Sequence, residues 1–143
     1  MTTSSNLTRF LEAQENTYLS ALAEIKLGQK KTHWMWFIFP QIAGLGFTDY
    51  NVFYAIKDIQ EAMSYLKHPI LGQRLIEISK ELLKIENKSA LEIIGKPDTK
   101  KLKSCMTLFS VLPNTDSVFK SVLNKFYQGE TDEKTISILK SNI

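Results

Sequence analysis

The chain has 143 residues, 43% of them apolar and 23% charged, with six glycines and four prolines, a balance that excludes disordered and fibrous classes. Its formal charge of +3 favours acidic ligands slightly, but every basic residue except Arg9 and Arg74 is a lysine, and bidentate base reading draws on arginine, so sequence-specific nucleic-acid recognition is not expected. A single cysteine, Cys105, excludes an internal disulfide and a multi-thiolate zinc site, and no apolar run approaches the ~18 residues needed to cross a bilayer, so a cytoplasmic protein without membrane contact is expected.

Met1 to Asn6 is rich in Thr and Ser, lacks the regions of a signal peptide, and reads as a short flexible start to one domain spanning residues 1–143. Leu7, Phe10, Leu11, Tyr18, Leu22 and Ile25 fall on helical spacing, with Asn6 placed to cap the helix and Gly28 to end it. Lys30 to Gln41 is apolar on every side up to Pro40. It is either a short buried helix, with Thr32 as its N-cap, or a buried strand; the helix is preferred. Gly44, Gly46 and the polar stretch to Asn51 break the pattern, and Val52 to Ile56 suits a loop with one helical turn.

Asp58 with Glu61 makes an acidic capping box for a helix carrying Ile59, Ala62, Met63 and Leu66, which His68-Pro69 closes. Pro69 is suited to open the next helix, with Leu71, Leu75, Ile78, Leu82 and Ile85 on its apolar face. Ser89 and Glu92 mark a brief helix ending at Gly95. Asp98 can cap a helix carrying Leu102, Cys105, Met106 and Phe109, and Asp116 one carrying Phe119, Val122, Leu123 and Phe126 up to Gly129. A final short helix runs from Asp132 to Leu139. The fold class is therefore all-α, a single compact bundle of seven or eight helices without an internal repeat.

Phosphate-loop, dinucleotide, zinc-histidine and nucleophile-elbow signatures are all missing, and His33 and His68 lie too far apart to suggest a metal site by themselves. No metal and no cofactor is expected. Lys30 to Gln41 supports two readings. In one, Trp34 and Trp36 are core hydrophobes. In the other the segment is a pocket wall, where Trp34 and Trp36 stack planar groups, His33 trades protons near neutral pH, Gln41 reads an amide or base edge and Lys30 or Lys31 attracts an anion.

Further candidates are Arg74, near a helix start that would welcome an anion or paired with Glu77, and a hydroxyl-plus-lysine patch of Lys101, Lys103, Ser104 and Thr107 suited to phosphate or simply solvated. Cys105, in an apolar helical run, reads as core. A glutamine, Gln14, in an apolar stripe hints at a polar partner opposite it.

The string Lys31-Thr32-His33-Trp34-Met35-Trp36-Phe37-Ile38-Phe39-Pro40-Gln41, followed by Gly44-Leu45-Gly46, resembles the bacterial family called domain of unknown function 1810. Arg9-Phe10, Ala13-Gln14, Tyr65-Leu66, His68-Pro69, Leu71-Gly72, Arg74-Leu75, Lys101-Leu102 and Met106-Thr107-Leu108-Phe109 extend the resemblance over nearly the whole chain. It implies a small all-helical protein and brings no established activity; some relatives are labelled calpastatin-like, a name no feature here supports. Cys105 stands where relatives often have Ser, which argues against a thiol mechanism, and Asp49-Tyr50-Asn51 departs from the small and basic residues usual after the glycine pair.

The leading expectation is a ligand-binding protein or enzyme acting on a small anionic, nucleotide-like compound, contacted by Lys31, His33, Trp34, Trp36 and Gln41 with Arg74, Lys101, Lys103 and Ser104 as further walls. His33 would be the catalytic acid or base. The alternative is a nucleic-acid or protein interaction module without catalysis, using lysines around exposed aromatics.

Overall fold

In the computed structural model, which describes residues 6–141, the apolar stripe that begins at Leu7 folds as two helices, α1 (Thr8–Glu15) and α2 (Tyr18–Leu27). Asn16 ends the first and Thr17 holds the N-cap position of the second without a side-chain bond. Both residues are poor helix formers whose side chains compete for backbone hydrogen bonds, and the apolar pattern is silent between Leu11 and Tyr18. The helix start also differs from expectation: Leu7 holds the N-cap position, and the Asn6 carbonyl accepts a hydrogen bond from Arg9. The expected flexible start lies, apart from Asn6, outside the described residues.

Gly28 ends α2 in the left-handed conformation at φ 78°, as its lack of a Cβ allows. The next helix, α3 (Met35–Ile38), is a single turn. Thr32 does not cap it, because its hydroxyl donates to Glu24 at 2.6 Å instead. Thr48 caps α4 (Asp49–Phe53), a few residues before the expected turn. The segments between these two helices and beyond α4 meet in one isolated parallel bridge, Ile42 to Ile56.

Asp58 caps α5 (Ile59–Lys67) by accepting from the Glu61 amide. His68 ends it and caps α6 (Leu71–Leu83): its Nδ1 accepts from the amides of Ile70 and Leu71 at 3.1 and 3.2 Å. Pro69 therefore lies in the turn, ahead of the helix it was expected to open. The capping box of Ser89 and Glu92 starts α7 (Ala90–Ile94). Asp98 is not a cap but the first residue of α8 (Asp98–Ser110), after Pro97. Asp116 acts one residue ahead of the N-cap Ser117, accepting from the Val118 amide at 2.8 Å to start α9 (Val118–Tyr127). Asp132 accepts from the Thr135 amide and hydroxyl at the head of α10 (Glu133–Ser141).

Ten helices thus form the bundle among the described residues, the split of the first helix and the turn α4 making the difference from eight. Except for α4, which buries no side chain, all of them are joined by one hydrophobic core, from Phe10 to Leu139. At its centre runs α8, buried on nearly every side through Leu102, Cys105, Met106, Leu108 and Phe109 and packed on α3, α5, α7, α9 and α10. Each such side chain contributes about 1.5–3 kcal/mol on burial. Among the described residues no helix is long and apolar enough to cross a membrane.

Candidate functional site

The stretch between α2 and α3 has little regular structure of its own and is held by one carboxylate. Glu24, on α2, accepts from the amides of Lys31 (2.7 Å) and Thr32 (3.1 Å), the Thr32 hydroxyl (2.6 Å) and the Trp34 indole Nε1 (2.9 Å). Burial works to raise the Glu24 pKa, but these bonds stabilise the charged form and hold it at about 2. The Lys30 amide donates to the Ile93 carbonyl at 2.7 Å, tying the same stretch to α7.

Opposite lies the short connection Gly95-Lys96-Pro97 into α8. Asp98 then takes two lysines: Lys30 Nζ at 3.0 Å and Lys101 Nζ at 3.6 Å. These ammonium groups also sit over the two indoles, Lys30 at 5.1 Å from the Trp34 ring and Lys101 at 4.9 Å from the Trp36 ring. Between the two walls is a cleft of about 430 Å³, whose lining includes Lys30, Lys31, His33, Trp34, Trp36, Lys96, Asp98 and Lys101. The lining thus holds four lysines and one carboxylate, which pairs with Lys30 and Lys101. Lys31 and Lys96 form no ion pair among the described residues.

The two tryptophans divide the two readings of their segment. Trp34 is fully buried, at 0% exposure, its ring near Phe39 and its N–H on Glu24, and belongs to the core. Trp36 is half-buried and stands between the lysine cleft and a shallow depression formed with Gln41, Gly44, Gly46, Tyr50 and Tyr54. His33 is exposed at the cleft rim.

Lys31, His33, Trp34, Trp36 and Lys101 therefore converge, with Gln41 on the far side of Trp36. Arg74, Lys103 and Ser104 lie elsewhere. Arg74 donates to Gln14 at 3.2 Å and stacks on Tyr18 at 5.0 Å, while Glu77 is engaged by the Tyr18 hydroxyl. Lys103 faces Glu130 at 3.5 Å and the Tyr127 ring at 5.9 Å. Ser104 is buried and donates to the Lys100 carbonyl at 3.0 Å, a back-bond within its own helix. Burial pushes the Cys105 thiol pKa up, which keeps it protonated and inert. No group of three or more His, Cys, Asp or Glu suited to a metal occurs among the described residues.

Sequence reasoning missed Lys96, Asp98 and Glu24 as parts of this site. Lys96 carried a faint signal as a cation between Gly95 and Pro97 in a short loop, the kind of segment that presents functional groups from a fixed scaffold. Asp98 was expected as a cap, and Glu24 lies off the apolar stripe of its helix, where nothing local marks its partners.

The family described as "Protein of unknown function (DUF1810)" matches residues 4–139. The chain belongs to this family. A solved structure similar to it is the conserved hypothetical protein Rv1873 from Mycobacterium tuberculosis, 41% identical, with a TM-score of 0.93 over 94% of this chain and 96% of that one. No curated protein matches the chain. The structural likeness agrees with the all-helical fold, and neither it nor DUF1810 membership carries an activity.

Proposed function

We propose that this DUF1810 protein is a cytoplasmic binding protein for a small anionic, nucleotide-like ligand, taken up in the cleft between the α2–α3 stretch and the head of α8. The observation that carries this reading is the pair Lys31 and Lys96, two cations without a carboxylate partner among the described residues, on opposite walls of one cleft beside the half-buried Trp36. Ammonium groups bind phosphate as point charges. Lys30 and Lys101 supply further positive potential but are held by Asp98. Trp36 offers a planar apolar surface to a base, and a site with a few charged groups around an aromatic is the usual composition of a small-ligand pocket.

His33, at the rim, both donates and accepts hydrogen bonds and is the residue assigned to proton transfer if the bound ligand is turned over. The test is calorimetric titration with ADP, AMP and pyrophosphate. Binding by the wild-type protein should fall at least tenfold in the double variant K31A/K96A at unchanged thermal stability. Equal affinity in both proteins, or no binding of any of the three, overturns the reading.

A further inference from the structure

Large apolar side chains left in solvent are concentrated in one short stretch. Of the nine such residues among the described ones, four, Phe47, Tyr50, Val52 and Phe53, lie within seven positions. Phe47 is 81% exposed, Tyr50 57% and Phe53 56%. A cluster of this kind on a folded surface marks a contact area.

The cluster is joined to the lysine cleft ring by ring. Lys101 lies over Trp36 on the cleft side. Trp36 meets Tyr50 in a T-shaped contact at 4.9 Å, Tyr50 meets Tyr54 at 6.2 Å, and Tyr54 meets Phe53 at 4.8 Å. The positive charge sits at the cleft end of this path, on Lys30, Lys31, Lys96 and Lys101, while the stretch 42–56 that carries Tyr50, Phe53 and Tyr54 has one charged residue, Asp49.

We infer that the ligand taken by the cleft is the end of a single-stranded nucleic acid, whose following bases lie across Trp36, Tyr50 and Phe53 toward Phe47. This rests on the nucleotide-binding reading of the cleft and extends it. A strand of alternating phosphates and planar bases matches a cationic groove followed by aromatic rings. Lysine in place of arginine suits binding without base-edge reading. The lysines line a concave cleft between two chain segments, which a strand end can enter and a flat bilayer cannot, so the strand is favoured over an anionic lipid surface.

The test uses fluorescein-labelled oligothymidylates of two to ten nucleotides in anisotropy titrations of the full chain, with ADP titrated calorimetrically in parallel. Affinity is expected to rise with length by roughly tenfold per added stacked base before levelling off, and to fall steeply with salt. The double variant F47A/F53A should bind the longer oligomers at least tenfold more weakly and ADP unchanged. Affinity independent of length, or long oligomers indifferent to F47A/F53A while ADP still binds, overturns the strand and leaves the cleft reading intact. Failure of both ADP and oligomers overturns the two together. Phosphatidylserine vesicles that bind the wild-type protein but not F47A/F53A, with no gain from oligomer length, would assign the aromatic surface to a membrane and overturn the inference.

Discussion

The Trp34 indole donates to a carboxylate oxygen of Glu24 at 2.9 Å, and the same oxygen accepts the Lys31 and Thr32 amides. One acid on α2 therefore shapes the wall of the candidate cleft and anchors a buried tryptophan. Replacing it by Gln keeps one acceptor oxygen but loses the charge and turns the other oxygen into a donor group. E24Q should lower stability by about 1 kcal/mol, given that solvent reaches the carboxylate, and weaken ligand binding through displacement of Lys31. Urea denaturation and calorimetric titration read the two effects separately.

The charge on Glu24 gives stability a defined pH dependence. Its pKa lies at about 2 in the fold, against an ordinary value of 4.5, so the unfolded chain takes up the proton first as pH falls. The contribution is fully present above about pH 4.5 and is lost as pH drops toward 2. E24Q has no such proton to bind. The stability difference between wild type and E24Q should hold from pH 7 to 5 and shrink between 4.5 and 2, which urea midpoints at stepped pH would reveal; a constant difference would contradict it.

Gln14 is 1% exposed and joins three elements. Its Nε2 donates to the Phe37 carbonyl at 2.7 Å and to the Tyr65 hydroxyl at 3.0 Å, and its Oε1 accepts from Arg74. Q14L would leave these partners unsatisfied in the interior at a cost of about 2–4 kcal/mol. Thermal melting would record the loss, and a near-neutral result would mean that water replaces the amide.

Gly72, on α6, packs against the last turn of α5. A Cβ there would stand 1.9 Å from the Leu66 carbonyl oxygen, a backbone atom that cannot rotate away. G72A should destabilise the protein by about 3 kcal/mol or more, visible as a lower urea midpoint.

Much of the fold was legible because its signals are local. The N-cap Asp58, the capping box at Ser89 and the left-handed Gly28 fixed element ends as expected, although Glu61, expected to complete a box with Asp58, accepts from the Lys57 amide and Arg9 instead. The polar residue hinted at by Gln14 proved to be several groups at once. What the residue pattern hid was long-range. Thr32 and Asp98 carry the side chains of good caps, yet Thr32 is drawn to Glu24 and Asp98 to Lys30 and Lys101. Likewise Trp34 and Trp36 are two positions apart and chemically equal, and only the placement of α2 and α8 makes one core and the other accessible. Lys96 joined the cleft for the same reason.

The central claim is that an anionic, nucleotide-like ligand occupies the cleft between Lys31 and Lys96. Titrating ADP into 15N-labelled protein and following backbone amide shifts tests it most directly. Saturable shifts confined to residues 30–36 and 94–101, together with the Trp36 indole N–H, are the expected result. Shifts centred on Gln73, Arg74 and Glu77, or no saturable shift at millimolar ADP, would contradict it.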